Sequence, residues 1–173
     1  LLCVPDDSLS RVVDALTTAS PLHPPWIAAH TSGVHPAQVL APLRSQGAHV
    51  LSLHPLQTFT HNTPPTAFQG IRMTIEGDAA AHNYGKRMAQ RLGAIPQHLT
   101  SEAKPLYHLS AVLASNGLVA LLAIAQRVWA MAGLEEEDAF SALAPLVETT
   151  WANVQQDGPA ALTGPAARGD QET

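Results

Sequence analysis

The 173-residue chain lacks the residues on which several classes of protein depend. Its one cysteine, Cys3, allows no disulfide framework and no cysteine-based zinc site, and this favours a cytoplasmic location. Lys and Arg number 9 against 14 Asp and Glu, for a net charge of −5, so there is no basic stripe for nucleic acid. Neither G-x-G-x-x-G nor the P-loop pattern occurs, so the glycine turn that cradles nucleotide phosphates is not contained in this chain.

Metal-ligand spacing is also missing, although nine histidines are present. No H-x-x-x-H or H-E-x-x-H pattern and no cysteine–histidine cluster occurs, so we expect no metal site. The longest apolar stretch, 111–125, is shorter than the roughly 20 residues of a membrane span, and Ser115, Asn116 and Gly117 interrupt it. We therefore expect a core helix at this position and no contact with a membrane.

The residues that are present indicate an α/β protein followed by an α-helical one. With 46% hydrophobic and 13% charged residues, the chain has enough apolar surface for a packed core. In the first half, apolar runs that predict strands alternate with helical patterns, the first of them a helix from a Ser8 cap to Thr18. This alternation is typical of a parallel sheet with helical crossovers. The predicted strands are 1–4, 26–30, 49–53, 72–75 and 95–99.

The second half predicts helices alone. An unbroken helical pattern runs from Pro105 to Ala132 and is stopped by Gly133, and a second helix follows over about 135–154. We therefore predict a partial Rossmann-like domain over 1–100 and an α-helical domain with one long central helix over 101–173. Since the chain opens inside an apolar run and stops abruptly, we expect an upstream βαβ unit with the glycine turn and a C-terminally truncated helical domain.

Candidate ligand-binding residues follow the predicted strands. In open parallel sheets, ligands bind beyond the carboxyl ends of the strands, where these turns should gather on one edge. Three such clusters are rich in small and polar groups, as a cleft for a polar ligand requires. They contain Val4, Pro5 and Asp6; Ser32 and Gly33; and His54, Pro55 and Gln57.

The start of the long helix carries the candidate catalytic pair. Lys104 and His108 are four residues apart, which places both side chains on one face of a helix. A lysine beside an imidazole can have a lowered pKa and serve as a general acid or base, although a solvated helix start has the same spacing. Asn116 lies in the apolar run, where a buried amide needs a partner such as a ligand or a backbone group. Arg168 is a candidate clamp for a carboxylate or phosphate.

Four motifs together resemble a bacterial family that joins a Rossmann-like NAD(P)-binding domain to a helical domain of unknown function. That family is related to pyrroline-5-carboxylate reductase, ketopantoate reductase and 6-phosphogluconate dehydrogenase. The resemblance covers nearly the whole chain. The motifs, in chain order, are VPDDSLSRVVDAL, HTSG followed by LAPLRSQGAHVLSLHPLQTF, KPLYHLSAVLASN, and ALTGPAARGD.

The resemblance implies a dinucleotide in the cleft, NADP before NAD, with a small-molecule substrate between the two domains. Val4, Pro5, Asp6, Ser32 and Gly33 would then lie near the cofactor. The His54–Pro55 turn would face the substrate, together with Gln57, Asn116 and Arg168. Lys104 matches the catalytic lysine of a K-x-x-x-N pattern, which reads K-x-x-x-H here because His108 replaces the asparagine.

Two functions from different classes remain open at this point, beside a weaker third, a purely structural helical dimerisation module. The first is an NAD(P)-dependent oxidoreductase that transfers hydride to or from a small polar substrate, with Lys104 and His108 as catalytic residues. The alternative is a dinucleotide-binding sensor or regulatory protein without turnover, which would need the same cleft. In either case the long helix is apolar on every face, and one further helix cannot cover it. We therefore expect a homodimer through the helical domain.

Overall fold

The computed structural model describes residues 1–19 and 25–164, which divide into two compact units, one up to Ser115 and one from Asn116 onwards. The first unit contains a four-stranded sheet and four α-helices. In chain order these are α1 (Asp6–Thr18), β1 (Trp26–His30), α2 (Ala41–Arg44), β2 (Ala48–Pro55), β3 (Arg72–Gly77), α3 (His82–Arg91), β4 (Ile95–His98) and α4 (Lys104–Val112).

The sheet is mostly parallel, as the sequence predicts, with one reversal at its centre. The strand order is β1-β2-β3-β4, and both β1–β2 and β3–β4 are parallel pairs. β2 and β3 are antiparallel, because residues 56–71 contain only a short 3-10 turn, Pro65–Phe68, and no crossover helix to return the chain. The prediction of a wholly parallel sheet is therefore wrong at this pair, and β3 and β4 run opposite to β1 and β2.

Two local predictions at the start of the chain are also corrected. Residues 1–4 form no full strand; Leu2 makes a single parallel bridge to His30, and its N–H donates to Ala29 O at 2.7 Å. Pro5 ends this apolar run after four residues. α1 begins at Asp6 directly after Pro5, so Ser8 lies inside the helix and does not cap it. The Ser8 hydroxyl donates to the Asp7 carboxylate instead.

The two faces of the sheet differ in chemistry because side chains alternate along each strand. On one face, Leu51, Leu53 and Ile75 are buried in a wholly apolar cluster beside α3. The opposite face is apolar only near the amino ends of β1 and β2. There it packs against α1 and the segment containing α2, and the buried residues are Val13, Ala28, Leu40, Leu43, Ala48 and Val50.

A polar row crosses the other end of that second face. His30 pairs with Ser52 across β1–β2, and Ser52 pairs with Glu76 across β2–β3, so the three side chains share one face. They are 0%, 1% and 3% exposed. The next pair towards the carboxyl end of β2, His54 and Thr74, extends this polar surface. Buried polar groups require partners, and the first turn of α4 supplies some of them.

The second unit is helical, with α5 (Leu118–Met131), α6 (Ala139–Asp157) and a 3-10 turn, Gly158–Ala161. The indole N–H of Trp129 donates to Glu135 O at 3.1 Å and ties the end of α5 to the segment before α6. Ala139 is the one buried residue in the described part of this unit. Its remaining apolar side chains reach the surface, among them Leu121 and Trp151, which are 66% and 61% exposed.

The predicted long helix spans Lys104–Met131, with a π-helical segment, Leu113–Gly117, between α4 and α5. Asn116 lies in this segment and is exposed, so the expectation that its amide is buried is wrong. By length and composition alone this helix could cross a membrane, and its most apolar stretch contains no buried residue. Core helices of soluble proteins meet the same criterion of length and composition, but they are mostly buried, whereas this stretch is not buried in the part of the chain that the structure describes.

We predict that Gly77→Ala destabilises the protein far more than Gly70→Ala. Both glycines have positive φ, +128° and +75°. A Cβ at Gly77 would lie 2.3 Å from Val50 O, whereas a Cβ at Gly70 meets nothing within 4 Å. Gly70→Ala should cost about 1–2 kcal/mol from the backbone conformation alone, and Gly77→Ala at least about 2 kcal/mol more. Urea denaturation of both variants measures the difference; equal losses would show that the strand end relaxes.

Candidate functional site

A buried lysine lies at the centre of the candidate site. Lys104 is the first residue of α4, and Pro105 is the second. Proline has no backbone N–H, which suits the first turn of a helix because N–H groups there have no partner within the helix. The Lys104 side chain is 1% exposed, and its ammonium donates to Ser52 Oγ at 2.6 Å. Burial lowers the pKa of Lys104 to about 8, and the nearby carboxylates of Glu76 and Asp6 limit the shift. Lys104 is therefore protonated at neutral pH, and it loses its proton at a pH only slightly higher than neutral.

Glu76 fixes the polar row to two neighbouring segments. One carboxylate oxygen accepts the hydroxyl of Ser101 at 2.6 Å, three residues before α4 begins. The other accepts the backbone N–H of Ala37 at 2.6 Å, at the start of a 3-10 turn. The negative charge also acts on Lys104 and His30. Glu76 therefore anchors the start of α4 and partly balances the buried ammonium.

His54 lies beside the lysine near the carboxyl end of β2. Its Nδ1 is 2.8 Å from the hydroxyl of Tyr107, and its ring centroid is 6.2 Å from that of His108. Burial and the positive charge of Lys104 lower the pKa of His54 to about 4, with a further contribution from His108 and an opposing one from Asp6. His54 is therefore neutral at physiological pH, and the positive charge of the site belongs to Lys104.

The turn after β1 brings Gly33 against both imidazoles. A Cβ at Gly33 would lie 2.6 Å from Nδ1 of His108 and 2.8 Å from Nε2 of His54, so only glycine fits. His30 holds this turn in place: its Nδ1 accepts the N–H of Ser32 at 3.1 Å, and its Nε2 donates to Pro36 O at 3.3 Å. Those two bonds require the neutral ring, and burial together with Lys104 lowers the pKa of His30 to about 4.

The structure brings together five of the predicted site residues: Ser32, Gly33, His54, Lys104 and His108. Asp6 is close enough for its charge to act on both His54 and Lys104. Val4 is half-buried and Pro5 exposed, in the segment that the Leu2 bridge places beside β1.

The other predicted residues are placed differently. Pro55 is buried and pairs with Met73 in the sheet, and the side chain of the exposed Gln57 accepts the N–H of Thr58. Asn116 belongs to the second unit, and Arg168 lies outside the described residues. The roles assigned to all of these residues stay predictions.

Sequence reasoning missed four residues of the site: His30, Ser52, Glu76 and Tyr107. Two signals for them are present in the chain. The segments Leu51–His54 and Met73–Glu76 alternate apolar and polar residues, which indicates a sheet with one polar face. Tyr107 is three residues after Lys104 and therefore on the same side of the helix as Lys104 and His108. Within 1–19 and 25–164 no group of three or more metal-ligating side chains occurs.

The fold and this edge-of-sheet cluster define a Rossmann-like α/β protein with a following helical part. Residues 1–55 match the Rossmann-like domain model, and residues 71–173 match the domain of unknown function DUF2520. Since the second match covers more than half of the chain, the protein belongs to the DUF2520 family. No curated protein matches the chain at a significant level.

Solved structures with the same fold include two bacterial proteins. Protein TM1727 from Thermotoga maritima has a TM-score of 0.77 at 28% identity, over 97% of this chain and 63% of its own. BF3122 from Bacteroides fragilis, provisionally assigned as an NADP oxidoreductase, has a TM-score of 0.77 at 23% identity. This match covers 98% of this chain and 62% of BF3122. The chain thus spans less than two thirds of the length of either protein.

We predict that the free energy of unfolding decreases as the pH falls from about 6.5 towards 4. His30 and His54 have an ordinary pKa of 6.5 when unfolded and about 4 when folded, so protons bind preferentially to the unfolded chain over this range. Each histidine should contribute a loss of up to about 3 kcal/mol.

Urea denaturation at a series of pH values measures this slope. His30→Gln should flatten it, whereas His61→Gln, which changes an exposed histidine, should leave it as in the wild type. An equal slope in wild type and His30→Gln would show that His30 does not titrate with folding.

Proposed function

We propose that the protein is part of an NAD(P)-dependent oxidoreductase that transfers hydride to or from a small polar substrate, with NADP as the preferred cofactor. The observation that carries this proposal is the buried Lys104, whose pKa of about 8 suits a proton donor at neutral pH. It lies beside His54 and the Gly33 turn, towards the carboxyl ends of β1 and β2, where Rossmann-like folds bind their ligands. The provisional assignment of BF3122 agrees with this proposal.

The residues present fit the nicotinamide end of such a cofactor better than its phosphates. The chain has no phosphate-binding glycine turn, and the first turn of α1 carries Asp6 and Asp7, which would repel phosphate. The Gly33 turn and the segment Val4–Asp6 are uncharged or acidic and would border the nicotinamide and its ribose. When bound, the cofactor would supply or accept the hydride.

The chain's own groups would handle the proton and the substrate oxygen. In the reducing direction, Lys104 would donate a proton from Nζ to the oxygen that gains negative charge. The hydrogen bond to Ser52 uses a different N–H and holds Nζ in position before and after the transfer. His108 lies one turn further along α4 on the same side and is the candidate relay that restores the proton. The neutral His54 would orient the substrate by a hydrogen bond.

We predict that Lys104→Met lowers kcat by about 10²–10⁴-fold, the range for losing a general acid. Methionine keeps most of the buried volume and removes only the charged donor, so the fold should persist. Lys86→Met is the matched control, since Lys86 is the second of the two lysines and is exposed on α3. The assay uses the whole protein with NADPH and a panel of carbonyl and imine compounds.

The outcomes of this assay test both the role of Lys104 and the choice between an oxidoreductase and a sensor. Turnover that declines above a pH of about 8 in the reducing direction supports Lys104 as the acid. Unchanged turnover in Lys104→Met removes Lys104 from the reaction. Tight NADPH binding without oxidation by any compound on the panel would favour the sensor instead.

We also propose that two copies associate through the helical unit. Its described part buries little more than Ala139, while Leu121, Ile124 and Val128 on α5 are 66%, 58% and 59% exposed. A stable helical unit must cover such side chains, and a second copy presents the same apolar surface.

Light scattering of the whole protein at micromolar concentration should therefore give twice the mass of one chain. Leu121→Glu should halve that mass, because a charge at an apolar interface is costly to bury. Phe59→Glu changes an exposed apolar side chain outside the helical unit, and should not affect the mass. A monomeric wild type, or solubility only in detergent, would contradict the proposal.

A further inference from the structure

Tyr107 contacts the candidate site through His54. Its hydroxyl lies 2.8 Å from His54 Nδ1, and the two rings meet edge to face with centroids 5.6 Å apart. The contact joins α4 to β2, residues 53 positions apart in the chain. Neither the spacing of Lys104 and His108 nor the proposed reaction assigns a role to this tyrosine.

A protonated Tyr107 phenol can donate the hydrogen of this contact to Nδ1 of His54. Burial raises the pKa of the Tyr107 phenol, although a hydrogen bond with the Thr74 hydroxyl limits the rise, so the phenol is protonated near neutral pH. The low pKa of His54 means that its ring is neutral and carries a single N–H. A phenol that donates to Nδ1 leaves that N–H on Nε2, because the two nitrogens of a neutral ring cannot both be protonated.

The second nitrogen of His54 points towards the Gly33 turn. Nε2 is 2.8 Å from the position that a Cβ of Gly33 would occupy, on the side where Nδ1 of His108 also lies. Four charged or titratable groups act on His54 from the surrounding elements: Lys104, His108, Asp6 and His30. All of them influence whether the ring is charged, but Tyr107 alone among the described residues bonds to Nδ1 and so selects which nitrogen carries the proton.

We infer that Tyr107 is a positioning residue that locks His54 in its Nε2–H tautomer, making His54 a hydrogen-bond donor to a substrate oxygen. This inference rests on the proposed function for its catalytic consequence, though not for the tautomer itself. The site then offers two hydrogen-bond donors, the ammonium of Lys104 and the Nε2–H of His54. His54 offers no nitrogen acceptor to the substrate, because its Nδ1 is occupied by Tyr107. Such a pair fits a carbonyl or carboxylate oxygen and disfavours a substrate that presents an N–H group to His54.

Nitrogen NMR of the histidine rings in the whole protein tests the tautomer directly, without any substrate. His54 in the wild type should show a protonated Nε2 and an unprotonated Nδ1 across neutral pH. Tyr107→Phe should give a mixture of both tautomers, because the phenol no longer donates to Nδ1. It should also raise the pKa of His54, since the lost bond favours the neutral ring. Tyr84→Phe removes the second of the two tyrosine hydroxyls, on α3, and should leave the His54 signals unchanged.

A kinetic measurement separates this inference from the proposed function. In an active protein, Tyr107→Phe should lower kcat/KM by about three- to tenfold, the size of one hydrogen bond, with its pH profile shifted as the pKa of His54 rises. If no compound is turned over, the proposed function fails while the NMR result still decides the tautomer. A protonated Nδ1 in the wild type, or identical His54 signals in wild type and Tyr107→Phe, would overturn the inference.

Discussion

A single buried hydrogen bond, from the ammonium of Lys104 to the hydroxyl of Ser52, organises the polar half of the sheet. A charge in an apolar interior is tolerated only where other polar groups surround it. The row His30, Ser52 and Glu76 provides this environment, and Glu76 also holds the residues before α4 through Ser101. Burial, with a further contribution from this charge, lowers the pKa of His30 and His54 and keeps both rings neutral. The ammonium of Lys104 therefore joins the start of α4 to β2 and contributes to the neutral state of two histidines.

This arrangement prepares the site before any ligand arrives. Each polar side chain is fixed by a strand or by the first turns of α4, and its partners come from other elements. Positioned dipoles of this kind stabilise developing charge without reorganising during a reaction. In the proposed reaction, the charged Lys104 and the neutral His54 have different tasks. The lysine would exchange a proton near neutral pH, and the histidine would orient the substrate.

Much of the fold was predictable from the sequence because hydrophobic periodicity is a local property. The strands at 26–30 and 95–99 were predicted within a residue of their observed bounds. Strand direction was not predicted, because an apolar run has the same pattern in either direction. The one signal for the reversal is that 56–71 contains no crossover helix. Among the site residues, Lys104 and His108 could be predicted to share a helix face, because they are four residues apart. The burial of Glu76 and the bond from Tyr107 to His54 depend on contacts between distant segments, which spacing cannot reveal.

The reversal between β2 and β3 divides the ligand-binding potential of the sheet between two edges. The end of β3, at Gly77, lies beside Leu51 rather than beside the end of β2. Near that opposite edge, His82 and His98 approach with ring centroids 4.9 Å apart, in a cavity of about 240 Å³ that contains none of the Lys104 cluster. The cavity and the polar row share β3 but use its opposite faces: Ile75 lines the cavity, whereas Thr74 and Glu76 belong to the face of the Lys104 cluster. A single strand therefore separates two polar environments, and a shift of β3 along the sheet would change both of them.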